Sequence, residues 1–368
     1  MLRQILPKKR KLMRLGWRLL LSRFSHSPVF MHIAPTRTCN LECKYCFQMR
    51  ENPAMMPWNL FLQVLEKAKY LGIAIISFTG GEPLLWPHLS KAITICTKKS
   101  IITEITTNGS LLSRPRIDEL ASAGLDYMIV SIDSVGKNTQ SQKSLSDNPN
   151  LLDYMKYAKQ KGILVSTNCV LGRENATQVP NLIRLLSRAN IFISIGFLDL
   201  PPMPSRKDVS AVDHSLSFSR KDKKLLANTI DQIVDMKRSG MLIIEPEEYF
   251  LRYPCHLQGK KVWDCSKSKI YSLQVAPNGH LFRCTRLGPS PYDFVSLDKR
   301  MLKKFRQELL EIIPECNKRC YCNCSFNNSY YRSHPLEFAF HVLFSAFRGF
   351  RENGQSCRSS IALDRDGD

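Results

Sequence analysis

The stretch RTCNLECKYCFQ, residues 37–48, holds three closely spaced cysteines, Cys39, Cys43 and Cys46. It directly follows an apolar segment, VFMHIAP, whose composition indicates a buried strand. Clustered thiols suit a zinc ion, reduced cysteines in a core, or an iron–sulfur cluster. A closed zinc site or a fully protein-ligated cubane takes four protein ligands, and this triplet offers three. An iron–sulfur cluster held here would keep one iron open for a small molecule.

The composition is that of a globular protein with room for one large α/β domain and a smaller one. The chain has 368 residues, of which 43% are hydrophobic and 23% are charged. No apolar run reaches the roughly 18 residues that are needed to cross a bilayer. Thirteen cysteines without a convincing secretory signal favour a reducing compartment, where clustered cysteines indicate metal ligation or redox chemistry. We therefore expect a cytoplasmic protein.

The formal net charge is +21, which favours anionic partners such as nucleic acid, anionic lipid or an acidic substrate. Residues 8–24 fit a basic amphipathic helix, and residues 335–350 fit an apolar helix with one narrow polar stripe. Either helix could lie peripherally on an anionic membrane or pack against the protein. Nucleic acid is disfavoured, because the sequence lacks the interleaved aromatic and basic strands of RNA-binding sheets.

Short β-branched segments alternate with helical patterns between residues 29 and 200. The predicted strands are Val29–Ala34, Ile73–Thr79, Ile102–Thr107, Asp126–Ile132, Ile163–Val170 and Ile191–Leu198. The helices between them are predicted near 57–71, 87–99, 113–123, 148–161 and 178–189. Alternating units indicate a parallel α/β architecture, and six of them fall short of the eight that close a full barrel. We predict a partial (β/α)6 TIM-like barrel, followed by a small cysteine-rich α+β iron–sulfur domain.

Polar and glycine-containing motifs follow the predicted strands, at the edge where barrel enzymes place their chemistry. SFTGGEPLL ends the second strand, TTNG the third and VSIDS the fourth. Paired glycines permit close backbone approach to a ligand, and the glutamate beside them supplies an acceptor. The candidate site residues at these ends are Gly80, Gly81, Glu82, Asn108, Ser131 and Asp133. Asn108, Ser131 and Asp133 would equally suit structural hydrogen bonding at a turn or strand end.

In their order along residues 29–200, the motifs C-x3-C-x-aromatic-C, GGEP, TNG and SID resemble those of the radical S-adenosylmethionine (radical SAM) enzymes. The resemblance implies that Cys39, Cys43 and Cys46 hold a 4Fe–4S cluster, whose open iron binds S-adenosylmethionine. One electron from this low-potential cluster would cleave the sulfonium bond to give a 5′-deoxyadenosyl radical, which removes a hydrogen atom from an unactivated carbon. The same resemblance implies an electron donor such as flavodoxin or ferredoxin.

The resemblance also assigns contacts to S-adenosylmethionine. It implies that Tyr45 lies near the adenine and that Gly80, Gly81 and Glu82 contact the amino group of the methionine part. Asn108 follows the third strand in the same rim and is a further candidate for cofactor binding. Ser131 and Asp133 sit where the family often contacts the ribose or the substrate.

A second group of cysteines lies between residues 255 and 324. Cys265 and Cys284 flank a PNGH turn, which predicts a hairpin, and CNKRCYCNC adds Cys316, Cys320, Cys322 and Cys324. This arrangement resembles the SPASM/twitch extension that carries auxiliary clusters in many radical SAM enzymes, although C-x3-C-x-C-x-C departs from its usual spacing. Cysteines two apart in an extended segment point to opposite faces. We therefore expect one auxiliary 4Fe–4S cluster on Cys265, Cys284 and two of the last four; zinc, or a second cluster that recruits Cys255 or Cys357, remains an alternative.

The sequence suggests five parts and a peptide-modifying enzyme. The parts are a basic N-terminal segment (1–27), the barrel (28–200), a linker and helix (201–250), the auxiliary-cluster domain (251–330) and an apolar C-terminal helix and tail (331–368). Enzymes with this extension often modify peptides or proteins. With 28 residues before the first strand, we expect no fused peptide-recognition domain of the usual winged-helix size, which counts against a peptide substrate unless recognition is supplied in trans. The character of the two ends makes a lipid, sugar or lipid-linked substrate the alternative. A non-catalytic iron–sulfur carrier is the competing class.

Overall fold

The computed structural model describes residues 11, 13, 15, 17, 28–46, 54–198, 214–266, 272–284, 287–316 and 320–334. Six parallel strands form its first part. They are β1 (Phe30–Thr36), β2 (Ile75–Gly80), β3 (Ile102–Thr107), β4 (Tyr127–Ser131), β5 (Leu164–Leu171) and β6 (Phe192–Phe197). Each overlaps one of the six predicted strands, so the predicted alternation is confirmed.

Five helices connect these strands and confirm the predicted helical stretches. They are α1 (Trp58–Leu71), α2 (Leu89–Lys98), α3 (Arg114–Ala123), α4 (Leu151–Gln160) and α5 (Val179–Arg188). Gly72 ends α1 in the left-handed conformation, with a φ of 84°, and its N–H bonds to carbonyls of the last turn. Such an ending favours glycine because a side chain is strained at positive φ. The chain can therefore reverse at once into the next strand.

The sheet continues beyond the six barrel strands into the cysteine-rich region. β7 (Ser272–Val275) pairs in parallel with β1, and β8 (His280–Cys284) and β9 (Gly288–Asp293) follow in antiparallel pairs. The order of the described sheet is β6-β5-β4-β3-β2-β1-β7-β8-β9. The β7–β8 pair confirms the hairpin predicted around PNGH, and the sheet order agrees with a partial, open barrel. By pairing with β1, the hairpin satisfies backbone groups of β1 that an open barrel would leave at an edge.

The two faces of the barrel sheet differ in character. On β3, Thr103 and Ile105 are fully buried, whereas Ile102, Glu104 and Thr106 alternate with them and are partly accessible. The buried set joins the apolar core that is shared with the helices, in which Ile105 packs with residues of α2 and α3. Because side chains alternate along a strand, the other set lines the inner side of the barrel. That inner side carries polar groups.

Four more helices complete the described chain. They are α6 (Lys223–Arg238), α7 (Glu247–Leu257), α8 (Lys299–Cys316) and α9 (Asn323–Ser333). The prediction of a strand near 241–245 was wrong, since this segment makes one isolated bridge, between Ile193 and Ile243. Its pairing ends there because the Glu245 side chain accepts the N–H of Ile195 at 2.8 Å, taking a donor that a longer ladder would need.

The N-terminal segment contacts the barrel through a lysine. Lys11 is 3% exposed, and its Nζ lies 2.6 Å from Oδ2 of Asp126. Met13 and Trp17 are instead 69% and 62% exposed. Among the described residues, no helix has both the length and the apolar character to span a membrane. The predicted apolar helix at 335–350 and the predicted linker at 201–213 lie outside the described residues.

Candidate active site

The cysteine loop follows β1 and is held by the loop that follows β4. The Lys44 N–H donates to the carbonyl of Gln140 at 3.0 Å, and the Glu42 N–H donates to Oε1 of Gln142 at 3.0 Å. Within the loop, the Cys46 N–H bonds to the carbonyl of Cys43. These contacts join segments that are far apart in sequence, so the loop has a defined position at the carboxyl ends of the strands.

Two of the three thiols, Cys39 and Cys43, lie in a setting that opposes their ionisation. Burial raises the pKa of Cys39 and of Cys43, and the charge of Cys46 raises both further. The ammonium group of Lys143 acts in the opposite direction on Cys43. Metal ligation requires the thiolate, so Lys143 favours the ligand form. In the part of the chain that the structure describes, no three His, Cys, Asp or Glu side chains stand at mutual metal-ligand spacing.

The paired glycines are explained by the cysteine loop itself. A Cβ on Gly81 would lie 2.1 Å from the carbonyl oxygen of Thr38, and one on Gly80, which has a φ of 120°, would lie 2.6 Å from that of Thr36. The N–H groups of Gly81 and Glu82 bond to these same two carbonyls, each at 2.9 Å. The glycines thus let β2 pass directly beneath the start of the cysteine loop. Their contact with the methionine amino group stays a prediction.

Glu82 is fully buried and joins the ends of two strands. Its carboxylate accepts hydrogen bonds from the N–H of Leu84 at 3.1 Å, the hydroxyl of Thr107 at 2.8 Å and the N–H of Asn108 at 2.7 Å. Burial raises the pKa of Glu82, whereas these donors lower it. The carboxylate therefore fixes the GGEP turn to the TNG turn, and its contact with S-adenosylmethionine stays a prediction.

Asn108 connects the TNG turn to the first cysteine. Its Nδ2 lies 3.0 Å from Oδ1 of Asn40 and 3.7 Å from Sγ of Cys39, within the reach of a hydrogen bond to sulfur. Its Oδ1 also accepts the N–H of Ser110 at 2.9 Å, which is the local turn cap. Asn108 thus makes one contact that suits a cofactor site and one that suits a turn cap. Hydrogen bonds to cluster sulfurs are one of the means by which proteins set the potential of iron–sulfur clusters.

Tyr45 and Asp133 form a buried pair beside the cysteines. The hydroxyl of Tyr45, a residue that is 7% exposed, donates to Oδ2 of Asp133 at 2.6 Å. Ser141 donates to the same oxygen at 2.6 Å, and the N–H of Val170 donates to Oδ1 at 2.9 Å. Burial, followed by the charge of Asp133, raises the pKa of Tyr45 well above its usual value. Asp133 therefore orients the tyrosine ring at the end of β4.

Lys143 is a site residue that the motifs did not indicate. Its Nζ donates to the hydroxyl of Tyr45 at 2.9 Å and lies 5.2 Å from the centroid of the ring. Burial lowers the pKa of Lys143, but the charges of Asp133 and the three cysteines outweigh this effect and raise it. In sequence the residue lies in the polar loop SVGKNTQSQKSLSD, where a lysine is expected to point into solvent. No local signal could have identified it.

Ser131 lies at the rim of the barrel, and two further cysteines lie in its core. Ser131 is 7% exposed and is paired in register with Asn168 on β5. Cys96 and Cys169 are fully buried, as expected of packing residues, and burial raises the pKa of Cys96 to about 12. These two thiols thus differ in accessibility from Cys39 and Cys46, which are partly exposed.

The second group of cysteines is largely buried. Cys265, Cys284, Cys316 and Cys320 are 5%, 8%, 7% and 5% exposed, respectively. The segment after Cys320 was predicted to be extended; this holds as far as Cys322, at the N-cap position of α9, whereas Cys324 lies in the first turn of the helix. A hydrogen bond with Cys322 raises the pKa of Cys324 well above its usual value. The helical turn brings together two thiols that an extended chain would have separated.

Comparison with known proteins shows which family residues 33–186 match. Residues 33–186 match the family described as the Radical SAM superfamily. The chain is 27% identical over 163 residues to "PqqA peptide cyclase" of Gluconobacter oxydans (strain 621H) and 35% identical over 177 residues to "GTP 3',8-cyclase" of Mycobacterium ulcerans (strain Agy99). These matches cover 41% and 45% of the chain, and 43% and 49% of those proteins. The chain thus matches less than half of the length of either relative.

Solved structures share the fold. "Native anSMEcpe with bound AdoMet" aligns with a TM-score of 0.58 at 16% identity, covering 87% of this chain and 99% of that one. Streptococcus suis SuiB bound to its precursor peptide SuiA aligns with a TM-score of 0.55 at 16% identity, covering 76% and 66%. Residues 33–186 thus match the Radical SAM superfamily, and the chain shares its fold with these two solved structures. This confirms the resemblance seen in the motifs; the cofactors of the family are a 4Fe–4S cluster and S-adenosylmethionine.

The chemistry of the donor set fits these cofactors. Three cysteines lie on one short loop, and an amide N–H from Asn108 points at one of the sulfurs. A cationic side chain, Lys143, lies beside them and would offset the negative charge of a thiolate-ligated cluster. Soft thiolate ligands suit iron–sulfur clusters, and three of them leave a coordination position vacant.

Proposed function

We propose that the protein is a radical SAM enzyme, with Cys39, Cys43 and Cys46 as ligands of a 4Fe–4S cluster that binds S-adenosylmethionine. When bound, these cofactors supply a 5′-deoxyadenosyl radical that abstracts a hydrogen atom from the substrate. The observation that carries the proposal is the convergence of three strand ends on the cysteine loop. Gly81 passes beneath it, Asn108 contacts Cys39, and Asp133 orients Tyr45.

Each of these residues has a proposed role toward the cofactors. Lys143, whose charge acts on all three cysteines, would offset negative charge at the cluster and its ligand. Tyr45 would provide a wall for the adenine, since its hydroxyl is held by both Asp133 and Lys143. Gly80, Gly81 and Glu82 would line the site of the methionine part of S-adenosylmethionine. Ser131, at the rim of β4, is the candidate for ribose or substrate contact.

The proposed substrate is a peptide or protein. A named peptide cyclase is among the relatives, and two of the similar folds were solved with peptides or a precursor peptide. The match to a GTP cyclase has the higher identity over a similar length, so the sequence relatives alone do not decide the substrate. Incubating the reconstituted enzyme with a peptide substrate should change the peptide's mass and form 5′-deoxyadenosine in step.

A lipid, sugar or lipid-linked substrate at a membrane surface is the second candidate. The observation that favours it is the division of side chains in the N-terminal segment, where Lys11 is buried against the barrel while Met13 and Trp17 are exposed. An exposed tryptophan beside other apolar side chains suits a membrane interface. Flotation with anionic liposomes tests this, and Met13→Ser together with Trp17→Ser should abolish it. Full-length protein that never floats would exclude the membrane-surface alternative.

We propose an auxiliary 4Fe–4S cluster on Cys265, Cys284 and two of Cys316, Cys320, Cys322 and Cys324, in a domain that spans about 251–330. Burial of the first four of these thiols would shield a cluster from water, which suits an electron relay. A flavodoxin or ferredoxin would deliver the electrons. The alternative class, a non-catalytic iron–sulfur carrier, predicts that dithionite and S-adenosylmethionine yield no 5′-deoxyadenosine.

A further inference from the structure

Three glutamates lie inside the fold, and they differ in how many hydrogen bonds they accept. Glu82 accepts three and Glu245 accepts four. Glu104 on β3 accepts one, from the hydroxyl of Ser77 at 2.6 Å. Glu82 and Glu245 are fully buried and paired, as polar groups inside native proteins nearly always are, whereas Glu104 is partly accessible. Of the three glutamates, Glu104 is the one with a carboxylate oxygen that accepts no hydrogen bond from the described residues.

Among the described residues, the strand partners of Glu104 do not supply further donors, and the charge of Glu104 also acts on the thiol of Cys324. Its register partners are Ser77 on β2 and Tyr127 on β4. The hydroxyl of Tyr127 donates to Oγ of Ser166 at 2.6 Å and is therefore committed elsewhere. Within the described residues, one carboxylate oxygen of Glu104 is held by Ser77 and the other accepts no hydrogen bond. Both belong to the face of β3 that lines the inside of the barrel.

The electrostatic setting of this carboxylate favours a cation. Burial raises the pKa of Glu104 to about 7, and the hydroxyl of Ser77 is the one group that lowers it. Among the residues that the structure describes, no lysine or arginine acts on it. A partly accessible carboxylate on the inner face of the barrel, without a counter-charge from the described residues, gains most from a ligand that brings both N–H donors and positive charge.

Glu104 also differs from the other two glutamates in what it holds together. Glu82 joins the GGEP and TNG turns, and Glu245 joins β6 to α9 through Ser194 and Asn327. Glu104 contacts Ser77 on the neighbouring strand, which the ladder between β2 and β3 already pairs with it. Its charge therefore adds no connection that the fold lacks. A purely structural role would not require an ionisable group at this position.

We propose that Glu104 selects a substrate with a cationic nitrogen, a protonated amine or a guanidinium, which enters the barrel and binds its open oxygen. The inference rests on the proposed function, because that function makes the barrel interior the substrate site. Along β3, Glu104 precedes Asn108 by four residues, or about 13 Å at the usual rise of a strand. Asn108 contacts Cys39. The cation is thus bound deeper than the cysteine loop, and the reacting carbon lies between them.

For a peptide substrate, this means a lysine or arginine side chain or an N-terminal amine near the residue that reacts. The test uses the reconstituted holoenzyme with two end-blocked probe peptides, Gly-Ala-Lys-Ala-Gly and Gly-Ala-Met-Ala-Gly, whose central side chains are similar in length. Their affinities are measured by titration. We expect the wild-type protein to prefer the lysine peptide by about tenfold or more, as for a charged hydrogen bond inside a protein.

Variants separate the charge from the packing. Glu104→Gln keeps the shape and should reduce the preference for lysine to about one, whereas Ser77→Ala keeps the charge and should retain the preference. Glu245→Gln removes a different buried carboxylate; it should lower the melting temperature and leave the preference intact. If Glu104→Gln proves unstable, Glu104→Met removes the same charge at similar volume.

The outcomes distinguish this inference from the proposed function. Formation of 5′-deoxyadenosine by the wild-type enzyme, without peptide, tests the proposed function alone. If that product forms but the wild-type protein binds both peptides equally, or binds neither at millimolar concentration, the inference is overturned. It is also overturned if Glu104→Gln retains the preference for lysine. Loss of the preference in Glu104→Gln but not in Glu245→Gln or Ser77→Ala supports it.

Discussion

The two groups of cysteines differ in their surroundings. Cys39, Cys43 and Cys46 lie on a loop at the rim of the barrel, where the backbone and side chains of other strand ends brace them. Cys265 and Cys320 are instead buried, and the carbonyl of Cys320 accepts the indole N–H of Trp263 at 2.8 Å. A partly accessible rim suits a cluster that binds a small molecule. A dry interior suits a cluster that passes electrons. We therefore expect the two regions to have different roles.

The largest effect is expected from removing the second region's ligands. Cys265→Ala combined with Cys284→Ala should lower the iron content from about eight to about four per chain, because one cubane is lost and the other remains. Cleavage of S-adenosylmethionine without substrate should persist, since the rim cysteines are untouched. Iron and sulfide analysis measures the first effect. Unchanged iron, or zinc in the purified protein, would contradict an iron–sulfur cluster at these residues.

The support of the first region depends on a glycine. Gly81→Ala should lower the free energy of unfolding by about 2–4 kcal/mol and reduce cluster content, because its Cβ would meet the backbone of Thr38. Gly136→Ala is the control, since a Cβ there would meet the end of the flexible Gln178 side chain at 3.2 Å. Equal stability of the two variants, measured by denaturant unfolding, would disprove the proposed steric role of Gly81.

The setting of Glu104, on the inner face of the barrel, can be tested by measuring stability against pH. The pKa of Glu104 is raised from a usual value of 4.5 to about 7 in the folded protein. The ionised carboxylate therefore destabilises the folded state, and this destabilisation grows as the pH rises from 4.5 to 7. Glu104→Gln removes this cost and should stabilise the protein by about 2 kcal/mol at pH 8, with little effect near pH 4. Melting temperatures against pH measure the difference. A pH-independent effect would show that the setting of Glu104 does not raise its pKa.

The smallest expected effect concerns the cation beside the rim thiols. Lys143 lowers the pKa of Cys43, so Lys143→Met should raise that pKa further and slow alkylation of Cys43 in cluster-free protein at pH 8 by about tenfold, or one pKa unit. Cys284, in the second region, should react at an unchanged rate. Lys143→Arg should restore part of the reactivity of Cys43. Equal slowing at both cysteines would point to a general loss of structure.

The sequence predicted the parts of this molecule that follow from local patterns. The six barrel strands, their helices and the PNGH hairpin each carry a periodicity or a turn signal, and all of them are present. The segment at 241–245 failed because the Glu245 side chain takes the N–H of Ile195 that a strand would have paired. The prediction of an extended segment failed at Cys324, because α9 begins at Asn323, in a segment without apolar periodicity.

The candidate site was predictable where residues lie in motifs, and not where the fold brings distant residues together. Cys39, the GGEP turn and Asn108 come from three strand ends that a parallel barrel must place at one edge. Lys143 lies in a loop whose composition indicates exposure, and its contact with Tyr45 spans 98 positions in sequence. Glu104 occupies an inward position of a β-branched strand, and its single hydrogen bond among the described residues depends on the neighbouring strands β2 and β4. Tertiary contacts of this kind have no local signal.

The central claim is that the rim cysteines, and not the other thiols, support cleavage of S-adenosylmethionine. The direct measurement is the amount of 5′-deoxyadenosine formed by anaerobically reconstituted protein with dithionite and S-adenosylmethionine, for the wild type, Cys43→Ala and Cys96→Ala. Cys96 is fully buried and serves as the matched control for loss of a thiol. We expect product from the wild type and from Cys96→Ala, and none from Cys43→Ala. Product from Cys43→Ala, or its absence from the wild type, would contradict the account.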